Sequence, residues 1–102
     1  MQLLGRYWEG RVAVAAGQAV VLDLPAAARV SVGANPGASG TATVEYTVSG
    51  KALVDADTAT WLSLIAATST AAEANRSVPT RALRLTATTT AASFDILQWA
   101  CD

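Results

Sequence analysis

The feature that most constrains this chain is a two-residue alternation of apolar and polar side chains, broken at short intervals by turn residues. In TATVEYTVSG (41–50), Ala42, Val44, Tyr46 and Val48 fall on one face, and Thr41, Thr43, Glu45 and Thr47 on the other. Period two is the signature of a strand with one face toward a core and one toward solvent. The same reading holds for Val12 and Val14, then for Val20, Leu22 and Leu24 after a break at Gly17-Gln18, and for Val30 and Val32. Pro25, which has no N–H for a ladder, stops the second of these runs. In NPGASG (35–40), Pro36 and Gly37 suit the second and third positions of a type II turn. Near the C-terminus, Leu83, Leu85 and Ala87 precede Phe94 and Ile96 in what reads as a hairpin. Its TTTAA turn lacks the Gly or Asn of a tight reversal, so a loop of about four or five residues is expected.

The stretch between these strands obeys two periods at once. Trp61, Ser63 and Ile65 alternate with Leu62 and Leu64, as in a strand buried on both faces, with Trp61 in the core. Leu62, Ile65, Ala66 and Ser69 recur at helical spacing. The neighbouring threonines and the β-rich context favour the strand. About eight short strands separated by turn signals predict an all-β fold, a single antiparallel β-sandwich or jelly roll. Residues 11–102 make the sandwich, and residues 1–10 an N-terminal arm or added strand.

Composition narrows the function. The chain is 52% hydrophobic over 102 residues, but 23 of those residues are alanine, so the core is expected to be thin. Seven basic and eight acidic residues nearly cancel. The arginines and the lone Lys51 are scattered, without the basic stripe that phosphate neutralisation needs, so no nucleic-acid partner is expected. There is no histidine, so neither the serines nor the single Cys101 has an imidazole to activate it. Asp55 and Asp57 in DADT fall short of a calcium loop, which needs six to eight oxygen ligands. Asn75-Arg76-Ser77 matches a glycosylation acceptor, but no secretory signal precedes it. Most of the eight acids lie at outward or turn positions, where solvation explains them, so paired carboxylates for glycoside hydrolysis are not indicated. No enzyme, cofactor or metal is expected, and no stretch is long and apolar enough to span a bilayer.

Contact residues are expected at the N-terminus. MQLLGRYW carries Leu3, Leu4, Tyr7 and Trp8, too apolar for a solvated tail. It either adds a strand to its own sheet or lies across a partner as an arm. Trp99 is placed with this group, since Trp and Tyr favour interfaces. Exposed tryptophans would instead suit a carbohydrate platform. Outward threonines (Thr41, Thr43, Thr47, Thr86, Thr88) are stiff and uncharged. With only 15% charged residues, such a surface suits repetitive packing between subunits.

The tail VPTRALRLTATTTAASFDILQ, preceded by ATVEYTVSG and DADTATW, resembles small virion proteins encoded beside the capsid genes of tailed bacteriophages. The residues that carry the resemblance are Tyr46, Trp61, Pro79, Ala82, Leu83, Arg84, Ile96, Leu97 and Gln98. They span the C-terminal part of the chain, whereas MQLLGRYWEG has no counterpart. The resemblance implies a structural capsid decoration (cement) protein, made in the host cytoplasm and carried on the capsid surface of the virion. Its partner would be the major capsid protein, and it would form a homo-oligomer, a trimer first and a dimer second. The alternative is a carbohydrate- or receptor-binding module of a virion fibre.

Overall fold

The computed structural model describes residues 2–4, 7–24, 29–78 and 80–99, with Gln2–Leu4, Tyr7 and Trp8 described by their backbone. Pro25, Pro79 and Cys101, singled out above, lie outside the described residues. The elements run β1 (Gln2–Leu4), β2 (Tyr7–Val14), β3 (Ala19–Asp23), β4 (Arg29–Asn35), β5 (Thr41–Thr47), α1 (Lys51–Asp55), β6 (Leu62–Thr68), β7 (Ala72–Arg76), β8 (Ala82–Thr88) and β9 (Ala92–Trp99). Two antiparallel sheets pack face to face. One has the order β1-β2-β9-β4-β7, and the other β3-β8-β5-β6.

The pairing is nested. β2 pairs with β9, β3 with β8, β4 with β7, and β5 with β6. The chain is thus a long hairpin, turned back between β5 and β6 and rolled so that β9 also meets β4 and β8 also meets β5. That is jelly-roll connectivity. The expected all-β sandwich is correct, with nine strands among the described residues and one short helix in the β5–β6 connection.

The core follows from the alternation. Val30, Val32 and Ala34 of β4, Phe94 and Ile96 of β9, Leu83, Leu85 and Ala87 of β8, and Ala42 and Val44 of β5 are all fully buried. Alanine at several of these positions lets the sheets approach closely, and the molecule measures 40 × 31 × 19 Å. Its shortest dimension is that of two stacked sheets, spaced about 10 Å apart, with their outer side chains.

Several local expectations are corrected. Residues 81–99 do not form a hairpin: β8 and β9 belong to different sheets, and a three-residue loop, 89–91, carries the chain between them. Burying both inner rows needs the two strands back to back, not side by side. The stretch after Trp61 is two strands, β6 and β7, in different sheets. β6 is an edge strand rather than one buried on both faces; only its Ile65 is buried, and Leu62 is 48% exposed. Thr47, which pairs with Ala82 two residues along from the Glu45↔Arg84 pair, is nevertheless fully buried, its hydroxyl accepting the Ser49 N–H at 3.0 Å. Val48 lies beyond the strand end and is exposed.

The reversal in NPGASG also falls later than expected. Gly40 N–H donates to the Gly37 carbonyl at 3.1 Å, and Ser39 takes the positive φ of 62°. Gly37 and Gly40 serve close approach instead. A Cβ on Gly37 would sit 2.5 Å from both the Ala91 carbonyl oxygen and Thr90 Oγ1. One on Gly40 would run into Thr90 Oγ1 and stand 2.8 Å from the Thr88 carbonyl oxygen. The loop between β4 and β5 is therefore seated directly on the loop between β8 and β9. Gly40→Ala should destabilise the fold by about 1–3 kcal/mol, because backbone at both loops must shift. Chemical denaturation of the variant beside the parent chain measures this, and an unchanged midpoint would show that the loops do not interlock.

Candidate docking surfaces

The register brings four connections to one end of the sandwich: 15–18, 36–40, 69–71 and 89–91. The pairs Val14↔Ala92, Asn35↔Ser93, Ala34↔Ala72 and Thr41↔Thr88 fix this arrangement. Each connection lies inside a stretch of sequence without a single charge: 12–22, 30–44, 58–72 and 85–94. The whole end is thus built from Ala, Gly, Ser, Thr, Pro and Gln side chains. Backbone and hydroxyl groups hold it in shape. Gly17, at φ 74°, donates its N–H to the Ala87 carbonyl at 2.9 Å, and Thr68 Oγ1 donates to the Thr70 carbonyl at 2.8 Å. On the outer face of the second sheet the uncharged surface continues as two threonine pairs, Thr41↔Thr88 and Thr43↔Thr86.

Charge lies elsewhere, and part of it is paired. Arg84 donates to both carboxylate oxygens of Glu45, at 2.9 and 3.0 Å, and its guanidinium lies 4.7 Å from the ring centre of Trp61. Trp61 is therefore half-buried on the outer face of the second sheet and not in the core, the position the sequence suggested. Arg76 covers the Tyr46 ring at 3.8 Å and donates from Nε to the buried Thr80 hydroxyl at 2.8 Å. Asp55, one of the two acids of DADT, takes Lys51 Nζ at 3.0 Å. No cluster of three or more metal-ligating side chains occurs among the described residues.

The five contact candidates fall at the opposite end from the uncharged loops, in two adjacent rows of the first sheet. One row runs Leu4↔Tyr7↔Trp99↔Arg29, and the next Leu3↔Trp8↔Gln98↔Val30. β1 thus pairs along its own sheet. Trp8 and Trp99 are offset by one residue, with Trp99 half-buried and Gln98 buried. The row structure was not legible from the sequence, because these residues lie at opposite ends of the chain. The uncharged loop end was missed too, although its four charge-free stretches are visible in the sequence.

The outer face of the first sheet carries a shallow, open depression of about 810 Å³ around Gly33, lined by Glu9, Ser31, Glu73, Asn75, Asp95 and Leu97 among others. Among the described side chains, no aromatic one lines it. Arg11 donates to Asp95 from Nε at 2.6 Å and from Nη2 at 3.1 Å, and Asn35 adds a longer bond at 3.3 Å. The hydrogen bond from Arg11 is the main reason that the Asp95 carboxyl is held below its ordinary value. At neutral pH Asp95 is an anion anchored to Arg11 and not a proton donor.

No family model matches the sequence, and no curated protein matches it. A solved structure of Bacillus endospore appendages, described as disulfide-linked pili, matches in fold. It shares 14% identity with this chain at a TM-score of 0.55, covering 100% of this chain and 98% of the other. At that identity the likeness establishes the fold alone.

The Arg11–Asp95 pair sets a pH dependence. Because the folded carboxyl has the lower pKa, its stabilisation is present above the ordinary aspartate value and is lost as pH falls through the folded one. Both side chains are more than half exposed, so the effect is small and is screened by salt. Asp95→Asn should lower the melting temperature slightly at about pH 7 and at low salt, and the difference should shrink as the pH falls below the ordinary aspartate range and vanish once the folded carboxyl is protonated. A difference that persists in acid would assign the loss to packing instead of the ion pair.

Proposed function

We propose that this chain is a structural assembly subunit, a capsid decoration protein that binds the outer surface of a phage capsid through its uncharged loop end. Binding only the assembled shell would stabilise that shell by mass action. The observation that carries this reading is the convergence of the four charge-free connections at one end of the sandwich. Covering such a surface removes no charge from water. Its side chains are short or β-branched, so little rotamer freedom is lost on contact. Interface centres are depleted in charge for the same reason. A solvated end has no need of this composition.

Two further points support an assembly role. The resemblance to small phage virion proteins covers β8 and β9, the central strands of the two sheets. The pilus structure with the same fold comes from an assembly described as disulfide-linked, but that linkage does not transfer simply. One cysteine can join two chains and no more, so an extended assembly of this chain would rest on non-covalent contacts. In this reading Leu3, Leu4, Tyr7, Trp8 and Trp99 lie at the end away from the shell.

Charge placed on the loop end tests the proposal. Ala38→Lys combined with Thr70→Lys puts two ammonium groups on exposed positions of two different loops. Co-sedimentation with undecorated capsids should weaken at least about tenfold, since each buried, unpaired charge is strongly disfavoured. The melting temperature should stay within about 2 °C, as surface substitutions usually do. Ala52→Lys, on the exposed helix at the other end, should leave sedimentation unchanged. Undiminished binding by the loop variant would remove the loop end as the docking surface.

A further inference from the structure

The sandwich has sheet edges, and they are not equivalent. β6 ends the second sheet on one side, but its pairing with β5 shifts register between Ala42 and Val44 and again between Val44 and Glu45. Such irregularities bend an edge away from a second strand. β7 ends the first sheet and carries Glu73 and Arg76 in a five-residue strand. β3 ends the second sheet on the opposite side, without a register shift and with a single charge, Asp23, at its last position. Its five residues pair with β8 in unbroken register, from Ala19↔Thr86 to Asp23↔Ala82. Its centre is Val20-Val21-Leu22, and Val21 is 47% exposed.

The hydrogen bonds flanking β3 fix which of its backbone groups are free. Ala87 N–H donates to the Gln18 carbonyl at 3.1 Å, and Leu24 N–H donates to the Arg81 carbonyl at 3.0 Å. In an antiparallel ladder alternate residues bond to the same neighbour, so the even-numbered residues face β8. The N–H and C=O groups of Ala19, Val21 and Asp23 therefore point away from the sheet, where no described strand lies.

We propose that this edge of β3 pairs antiparallel with β3 of a second copy of the chain, about a two-fold axis at Val21. The register is self-consistent. Ala19 meets Asp23 of the second copy, Val21 meets its own equivalent, and all of these are residues with outward-facing backbone groups. Val20 and Leu22, half-buried at the rim of each core, come side by side and lose their remaining exposure. The charge pattern fits a copy of the same chain. Asp23 is the strand's only charged residue and already has Lys51 Nζ at 3.8 Å. In the paired register it faces uncharged Ala19, and the two Asp23 residues stand about 14 Å apart, four strand steps. That separation exceeds the screening length at physiological salt. The two sheets β3-β8-β5-β6 then become one continuous sheet, and the closed two-fold contact leaves no further β3 edge to extend. The pairing goes beyond the docking reading and is independent of it. It runs along the side of the sandwich and sends the two loop ends in opposite directions.

The test is the mass of the full chain by light scattering over a concentration series, with amide hydrogen exchange on the same samples. The expected result is a plateau at twice the 10.4 kDa chain mass, with the Ala19, Val21 and Asp23 amides protected only where the dimer is populated. Val21→Pro removes an outward N–H that the β8 ladder does not use, and should raise the dissociation constant at least tenfold. Val21→Lys, a charge at an exposed edge, should do the same if the proline variant folds poorly. Three results would overturn the proposal: a monomer at every concentration, a dimer whose three amides exchange freely, or a mass that grows without a plateau. Failure of capsid binding would leave this result untouched, because no shell enters the measurement.

Discussion

The molecule depends on two strands packed back to back. β8 is central in one sheet and β9 in the other, and both of their inner rows are fully buried. Leu83 and Leu85 on one side, with Phe94 and Ile96 on the other, are the four largest fully buried side chains among the described residues. Only three residues separate the strands, and Thr89 takes a positive φ of 76° to make the crossing. A β-branched residue in that conformation is strained. It persists because the loop is held from outside by Gly37 and Gly40. Each earlier strand then finds its place by pairing with β8, β9 or a strand already attached to them, which is why the pairs nest.

That nesting distributes charge without any local rule requiring it. In a rolled hairpin most connections cross from one sheet to the other, and alternate crossings fall at the same end. Four uncharged stretches therefore meet at one pole, while ion pairs such as Arg84–Glu45 and Lys51–Asp55 lie elsewhere. Surface charge keeps a free protein soluble, and the proposed docking surface is the end whose connections carry none. The outer face of the first sheet differs again. Its acids surround a shallow depression and one of them is tied to Arg11, which makes it a solvated face.

Trp61 shows where local pattern misleads. It sits at the start of an apolar run, and such a run admits a core strand, a helix or an edge strand equally. What decides is the partner available on each side. β5 covers one side of β6, nothing described covers the other, and the Arg84 guanidinium takes the indole face. Thr47 errs in the opposite direction. Alternation assigns it outward, but at the strand end, where Ser49 folds back onto its hydroxyl, it is fully buried. Pattern reading works in strand centres, where both neighbours are present, and fails at ends and edges, where burial depends on what else folds nearby.

By itself the sequence determined most of the strands, the inner faces of their central residues, the thinness of the core and the lack of charge in four separate stretches, because each follows from side-chain chemistry within a few residues. It also placed Leu3, Leu4, Tyr7 and Trp8 together, being adjacent. Only the tertiary structure decided that Trp99 joins Tyr7 in one row, that the four uncharged connections share an end, and that β3 is left as an unbroken edge. Those outcomes depend on which distant strands pair, and pairing is set by the joint burial of whole faces, a quantity no short segment contains.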